Sequence, residues 1–453
     1  MNRNVLLCLV ALTISLTAWR CGATESWPAF RGDGDSIVRG TSGPLSWEPQ
    51  GRSPGNWSVR LPGYGQSSPV VWEETIFVTA VSGDEKERFH VLALAMSDGQ
   101  VRWQHDGTST QRIPDSDTVS RGAPTPVVDS QRLYCVFESG DVVALTHDGK
   151  VVWEYSFVKS HGEVRGPHGY ASSPLLIDGL LILQVAHAGP SYAIALDAAS
   201  GAVRWKADHP SENGWSSPVA IEHQGEKGLV ISTSGSVRAL RATDGATWWY
   251  VNGLRGNGTA TPTVAGDVVV IGVSEGRGGG RPRPRGDSTE SAAPQANPSP
   301  GSGPKGEEEE LGCLAIRLGG SGDVTRTHIV WKAPKVTCGY ASPLVLGDAV
   351  YVVKKTGVVQ CLALADGALR WQRRLPGETW ASPIGVGQHV LFFTKGGAVA
   401  LLDTQSVEGE FVESAVSATD VVYGGAAADK SWIVRTGRGL LRITAPDQGP
   451  ETK

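Results

Sequence analysis

A Ser/Thr-Pro dipeptide followed by a short apolar run recurs seven times along this chain. The copies are Ser68-Pro69, Thr125-Pro126, Ser173-Pro174, Ser217-Pro218, Thr261-Pro262, Ser342-Pro343 and Ser382-Pro383. Pro174, Pro218 and Pro262 are 44 residues apart, and Pro343 and Pro383 are 40 apart. A period of this length marks a repeat architecture, in which no unit buries its apolar face alone and neighbours must stack.

Each unit follows one script. In the first, Val70-Val71-Trp72 is a short strand a and Ile76 to Ala80 is strand b. His90 to Ala95 is strand c, a turn carries Asp98-Gly99, and Val101 to Gln104 is strand d. The turn and last strand recur as Asp148-Gly149…Trp153, Ser200-Gly201…Trp205, Asp244-Gly245…Trp249 and Asp366-Gly367…Trp371. Asp-Gly and Ser-Gly favour the φ > 0 hairpin turn, so strands c and d should be antiparallel neighbours. With 58 Gly and 15 Trp against 2 Met in 453 residues, the composition also suits short strands and aromatic anchors rather than helices. A Trp at a fixed place in each unit, here Trp57, Trp103, Trp153, Trp205, Trp249, Trp331 and Trp371, reads as packing between neighbouring units.

The seventh unit carries Phe411-Val412 where the Trp belongs. The final segment, Val421 to Thr444, supplies three strands and no fourth, while Asn56 to Leu61 looks like an orphan strand d. Pairing the two closes a ring and removes both exposed edges. The expected fold is all-β: an eight-bladed β-propeller of four-stranded antiparallel blades, closed by the N-terminal strand and spanning residues 24–453 as one domain. The gap between Pro262 and Pro343 holds one unit plus an insertion at 275–310. That insertion is rich in Pro, Gly and Ser and nearly free of apolar residues, and is expected to be a disordered loop inside the fifth blade.

Residues 1–23 read as a signal peptide: Arg3, then an apolar run from Val5 to Ala18, then Cys21-Gly22-Ala23 at a cleavage site. Lipidation at Cys21 is the less favoured reading, because Trp19 and Arg20 precede it. The chain is therefore expected to be exported to a periplasm or cell envelope, or secreted, with no transmembrane span. Cys135, Cys313, Cys338 and Cys361 would remain. They allow three disulfide pairings or buried thiols, the latter suiting Cys135 in its apolar run. A net charge of −5 without a basic stripe argues against nucleic acid.

The repeated Ala93-Leu94…Asp98-Gly99…Trp103, Ala195-Leu196-Asp197…Gly201…Trp205 and Ala363-Leu364-Ala365-Asp366-Gly367…Trp371 resemble the pyrroloquinoline-quinone-like propeller repeat. That family includes quinoprotein dehydrogenases and the outer-membrane assembly factor BamB, a non-enzymatic scaffold. Trp27-Pro28-Ala29-Phe30-Arg31-Gly32 looks like the opening of exported propellers of this family common in planctomycetes. The resemblance covers nearly the whole mature chain and speaks for the fold, since the matching residues are the structural ones.

Function must lie in what differs between copies. The d-to-a and b-to-c loops emerge on one face of such a ring, the a-to-b and c-to-d loops on the other. The d-to-a loops carry Tyr64, Gln66, Arg121, His168, Tyr170, Trp215, Asn257, Tyr340 and Trp380. This set suits a protein, peptide or glycan of the envelope, bound by a monomer or a member of a complex. The competing expectation is that the aromatics fill the neck of the ring.

The resemblance also implies an alternative, a dehydrogenase using pyrroloquinoline quinone and Ca²⁺. Alcohol-oxidising members stack the quinone on adjacent cysteines, and this chain has no such pair. Asp33-Gly34-Asp35-Ser36 lacks the remaining ligands of a Ca²⁺ loop. No G-x-S-x-G, H-E-x-x-H or phosphate loop occurs either. Arg31-Gly32-Asp33 and Arg285-Gly286-Asp287 spell an adhesion tripeptide that chance explains. A non-catalytic scaffold without cofactor or metal is the preferred expectation.

Overall fold

The structure, a computed structural model, describes residues 26–445 apart from 40–42, 48–52, 54, 117–119, 167, 211, 275–311 and 407–408. The signal-peptide region, the second Arg-Gly-Asp and the 275–310 insertion fall outside the described residues.

Eight sheets follow one another around a ring. The first holds strands Val70–Trp72, Thr75–Ser82, Arg88–Ala95 and Val101–Thr108 in sequential antiparallel order, as the repeat requires. Strands b and c are buried along almost their whole length, because both faces of each blade are covered by neighbours. Strand d alternates exposed and half-buried, as an outer edge should. The eighth sheet joins Val422–Ala428, Ser431–Thr436 and Gly439–Thr444 to Trp57–Arg60, with Trp57 opposite Arg442 and Arg60 opposite Gly439. The N-terminal strand thus closes the ring. The one helix among the described residues is a five-residue turn, Phe157–His161.

Both repeat signatures have a mechanical role at the blade boundaries. The amide of each Ser/Thr before Pro donates to the hydroxyl of the next: Ser68 to Thr125, Thr125 to Ser173, Ser173 to Ser217, Ser217 to Thr261, Thr261 to Ser342 and Ser342 to Ser382. The distances run from 2.9 to 3.1 Å. Proline cannot donate, so the preceding amide and hydroxyl carry the link.

The Trp of one strand d lies on the turn glycine of the next blade. Trp57 faces Gly99, Trp103 faces Gly149, Trp153 faces Gly201, Trp205 faces Gly245, Trp331 faces Gly367 and Trp371 faces Gly409, all at positive φ. Five of these indoles also donate to a backbone carbonyl of that next blade, as Trp205 does to Ala242 at 2.8 Å. Trp249 differs. The fifth blade has no Asp-Gly turn, and Gly322–Asp323 instead adds a short parallel strand alongside Trp249–Tyr250. Trp249 is fully buried and its Nε1 finds no acceptor.

Residues 27–38 thread the inside of the ring. Trp27 bridges to Val71 of the first blade, Pro28 O accepts from Val128 of the second, and Ile37–Val38 pairs in parallel with Gly385–Val386 of the seventh. Between them Arg31 is buried at φ 65°. It donates to Ser36 Oγ (2.9 Å), Thr263 Oγ1 (2.9 Å) and the carbonyls of Pro262 (3.3 Å) and Pro343 (2.8 Å). This one side chain ties the N-terminal segment to the fifth and sixth blades, and it presents no adhesion tripeptide. Asp33 and Asp35 are ion-paired with Arg39.

Candidate binding face

The blade ring brings the d-to-a loops together, and five consecutive boundaries join in one chain of ring contacts. Tyr340 meets Trp380 at 5.1 Å between centroids, and Trp380 meets Tyr423 at 5.3 Å. Tyr423 meets Tyr64 at 6.0 Å, with the two hydroxyls 2.7 Å apart. Arg121 then lies over the Tyr64 ring at 4.9 Å. The rings meet at steep angles, 57° to 77°, so they form an edge-to-face arc and not a flat platform.

Cations cover this arc. Lys355 sits 5.6 Å from the Tyr340 centroid, Lys395 4.8 Å from that of Trp380 and Arg438 5.5 Å from that of Tyr64. All three come from b-to-c hairpins, of the sixth, seventh and eighth blades. Beneath lies Arg435, wholly buried. Its Nε donates to Gly65 O at 3.1 Å, while Nη1 and Nη2 have no partner. Burial pulls this guanidinium down to about 9, so it stays charged at neutral pH. A Cβ on Gly65 would stand 2.1 Å from Nη2, which is why that loop position is glycine.

The remaining candidates divide. His168 and Trp215 pair edge-on at 5.4 Å across the third and fourth blades, with the Trp215 indole donating to Gly169 O at 3.0 Å. Gln66 braces the Arg121 loop through its Oε1, which accepts from the Arg121 amide at 3.1 Å. Two candidates point inward. Tyr170 is buried against Phe157, 5.2 Å away. Asn257 spends its amide on Ser232 Oγ and Ser236 O inside the fourth blade. Both fill the neck between blades, and neither meets solvent.

A buried ion pair supports the loop that carries Arg121. Lys86 Nζ donates to Ser120 O at 2.7 Å and faces Glu138 at 3.9 Å; Glu138 Oε1 accepts from the Gly122 amide at 2.8 Å. Burial lowers the Lys86 ammonium and raises the Glu138 carboxyl, each against the pull of the other.

The sequence reading missed Tyr423, Lys355, Lys395, Arg438 and Arg435. Tyr423 escaped because the eighth blade has no Ser/Thr-Pro to mark its strand a. The three arc cations had a visible signal: Lys355-Thr356-Gly357, Lys395-Gly396-Gly397 and Arg438-Gly439 occupy equivalent hairpins.

Elsewhere in the first blade Ser82 Oγ lies 2.8 Å from His90 Nε2, and His90 Nδ1 2.7 Å from Asp106 Oδ1. This is the donor order of a hydrolytic triad, but Asp106 is half exposed and shares Oδ1 with Gln104. The three bridge strands b, c and d as a hydrogen-bonded brace.

Among the described residues no three His, Cys, Asp or Glu side chains converge as a metal site. All four described cysteines are buried free thiols, with Cys313 and Cys338 in side-chain contact.

A family model described as outer membrane protein assembly factor BamB matches residues 18–194, 182–293 and 323–449. Among curated proteins, the chain is 27% identical to outer membrane protein assembly factor BamB of Alkalilimnicola ehrlichii, over 34% of this chain and 39% of that protein. It is 24% identical to the proteins of that name from Moranella endobia and Yersinia pestis, over 49% of this chain and 52% and 51% of theirs. The chain thus spans about half or less of the curated relatives it matches. Among solved structures, BamB from Moraxella catarrhalis superimposes with a TM-score of 0.57 at 14% identity, over 86% of this chain and 96% of that one. A europium-containing methanol dehydrogenase superimposes at 0.64 with 11% identity, over 92% and 90%. At such identities both likenesses describe the propeller fold.

Proposed function

Because the chain belongs to the family of the outer membrane protein assembly factor BamB, we propose that it is an exported, non-catalytic envelope scaffold that docks a protein partner on its d-to-a and b-to-c loop face. The observation that carries this is the arc from Tyr340 to Arg121, with its cations. Tyr340 is 50% exposed, the one aromatic among the exposed large apolar side chains of the described residues, and Trp380, Tyr423 and Tyr64 beside it are half-buried. Aromatic and Arg clusters of this kind are the usual anchors of a protein interface. The curated relatives carry the name of an assembly factor, which supports a partner protein over a small substrate.

Site-directed photo-crosslinking tests the reading. A photoreactive amino acid at position 340 should capture one discrete envelope protein in the native host. The same label at position 150, on the opposite face, should not. Trp380→Ala and Trp215→Ala should weaken that capture while leaving the melting temperature within a few degrees; variants that simply unfold would return these rings to the packing role. Stoichiometric binding of pyrroloquinoline quinone with Ca²⁺, coupled to dye reduction on an alcohol or sugar, would sink the scaffold reading in favour of a dehydrogenase.

A further inference from the structure

The arc says more about its occupant than that it is a protein. An aromatic face that stacks on a sugar or a neutral ring must be open. Here cations sit over three of the four rings. Lys355 lies over Tyr340, Lys395 over Trp380, and Tyr64 has Arg121 and Arg438 both within 5.5 Å of its centroid. What remains for a ligand is the outer side of the cations and the positive edges of steeply set rings, both of which favour anions.

Charge bookkeeping around the arc points the same way. Arg121 is committed to Asp115 at 2.6 Å, and Asp420 lies beside Tyr64 and Arg435. Lys355, Lys395 and Arg438 have no carboxylate partner among the described residues. Below them the Arg435 guanidinium is buried with Nη1 and Nη2 unpartnered, and the Trp380 Nε1 donor is also without an acceptor. A protein of net charge −5 therefore concentrates positive charge on one sector of one face, where a low-dielectric floor strengthens its field.

We infer that the sector from Tyr340 to Arg121 binds an extended acidic peptide segment, with successive Asp or Glu side chains meeting Lys355, Lys395 and Arg438. The ring centroids advance by 5.1, 5.3 and 6.0 Å. Side chains on one side of an extended strand advance by about 6.6 Å per two residues, somewhat more than each of these steps, and flexible Asp and Glu side chains take up the difference. The inference rests on the docking function proposed above and narrows its partner to one with an acidic strand or tail.

The test uses the full exported chain and fluorescent twelve-residue peptides alternating Glu-Ser, Gln-Ser or Lys-Ser, read by anisotropy at low salt. An oligogalacturonate of equal charge is the non-peptide anion. The Glu-Ser peptide should bind at least about tenfold more tightly than Gln-Ser, and Lys355→Ala/Lys395→Ala should remove about tenfold of that affinity. Lys150→Ala, on an exposed c-to-d hairpin of the other face, should change nothing. Both arc lysines are solvent-reaching, so the double variant should fold, which its melting temperature checks. Equal binding of Glu-Ser and Gln-Ser, full binding by the double variant, or preference for the oligogalacturonate each overturns the inference. If peptide selectivity fails while the crosslink from position 340 persists, the acidic occupant is wrong and the docking face stands. Loss of that crosslink in the wild-type chain is the separate failure of the docking reading.

Discussion

The amide of Ser68 donates to the hydroxyl of Thr125 at 3.0 Å, across the boundary between the first two blades. Five further bonds of the same kind carry the relay to Ser382. The four interior bonds join buried groups, where water cannot substitute, while the first and last are part-buried. Thr261→Val keeps the shape of the side chain but leaves the Ser217 amide, now 2.9 Å from Thr261 Oγ1, without an acceptor. The expected cost is about 1–3 kcal/mol, that of orphaning a buried donor. A fall in melting temperature relative to wild type checks it; Ser382→Ala, at the part-buried end of the relay, should show a smaller loss.

The indole–glycine contact makes a second, sharper expectation. At Gly245 a Cβ would stand 2.6 Å from the Trp205 ring, and φ is +72°. At Gly179 φ is +71° and nothing lies within 4 Å. Ala at either position carries the left-handed backbone penalty of about 1–2 kcal/mol. Only Gly245→Ala adds overpacking, about 1–3 kcal/mol more. Denaturant unfolding of the two variants side by side should separate these contributions, and equal losses would mean that the indole yields freely.

Arg31 is the point at which the N-terminal segment holds the ring together. Arg31→Met retains most of the volume and removes the donors to Ser36, Thr263, Pro262 and Pro343. Hydrogen bonds from a charged donor contribute about 1.5–3 kcal/mol each at most, and relief of the buried charge offsets part of this. The net loss is expected to be about 2–4 kcal/mol. Limited proteolysis should then cut near residues 27–38 in the variant under conditions where wild type is resistant.

The blade count was legible because most boundaries repeat the same contacts, Ser/Thr amide to hydroxyl and indole to turn glycine, and ring closure because one strand was left over at each end. A repeated contact leaves a repeated residue. The arc was legible only in part. Tyr64, Tyr340 and Trp380 stood before Ser/Thr-Pro marks or near them, but Tyr423 had no mark to stand beside. Lys355, Lys395 and Arg438 repeat in position, yet single lysines and arginines in hairpins are ordinary surface residues until a ring is seen beneath them. Tyr170 and Asn257 share the loops of the binding candidates and point the other way, because loop membership fixes position but not side-chain direction. Arg31 reaches partners more than 200 residues away, a contact no local pattern encodes.

The Lys86–Glu138 pair gives a pH signature with a definite sign. Burial is the leading cause at both groups, raising the Glu138 carboxyl and lowering the Lys86 ammonium despite their mutual attraction. A carboxyl whose folded pKa exceeds its unfolded value binds its proton more tightly in the folded chain. Between those two values the folded state carries the extra proton, so stability falls as pH rises from about 4.5 through the raised value. Glu138→Gln keeps the acceptor for the Gly122 amide and removes the titration. The variant should match wild type near pH 4.5 and become the more stable of the two as pH climbs towards neutrality. Carboxylates held low by their partners, such as Asp106 and Asp348, act below this window, and the histidines that burial lowers, His161, His187 and His209, are common to both chains and cancel in the difference. Urea unfolding at half-unit steps from pH 4.5 to 7.5 reads the difference directly. A wild type that gains on the variant over this range would mean that Lys86 more than repays the desolvation of Glu138.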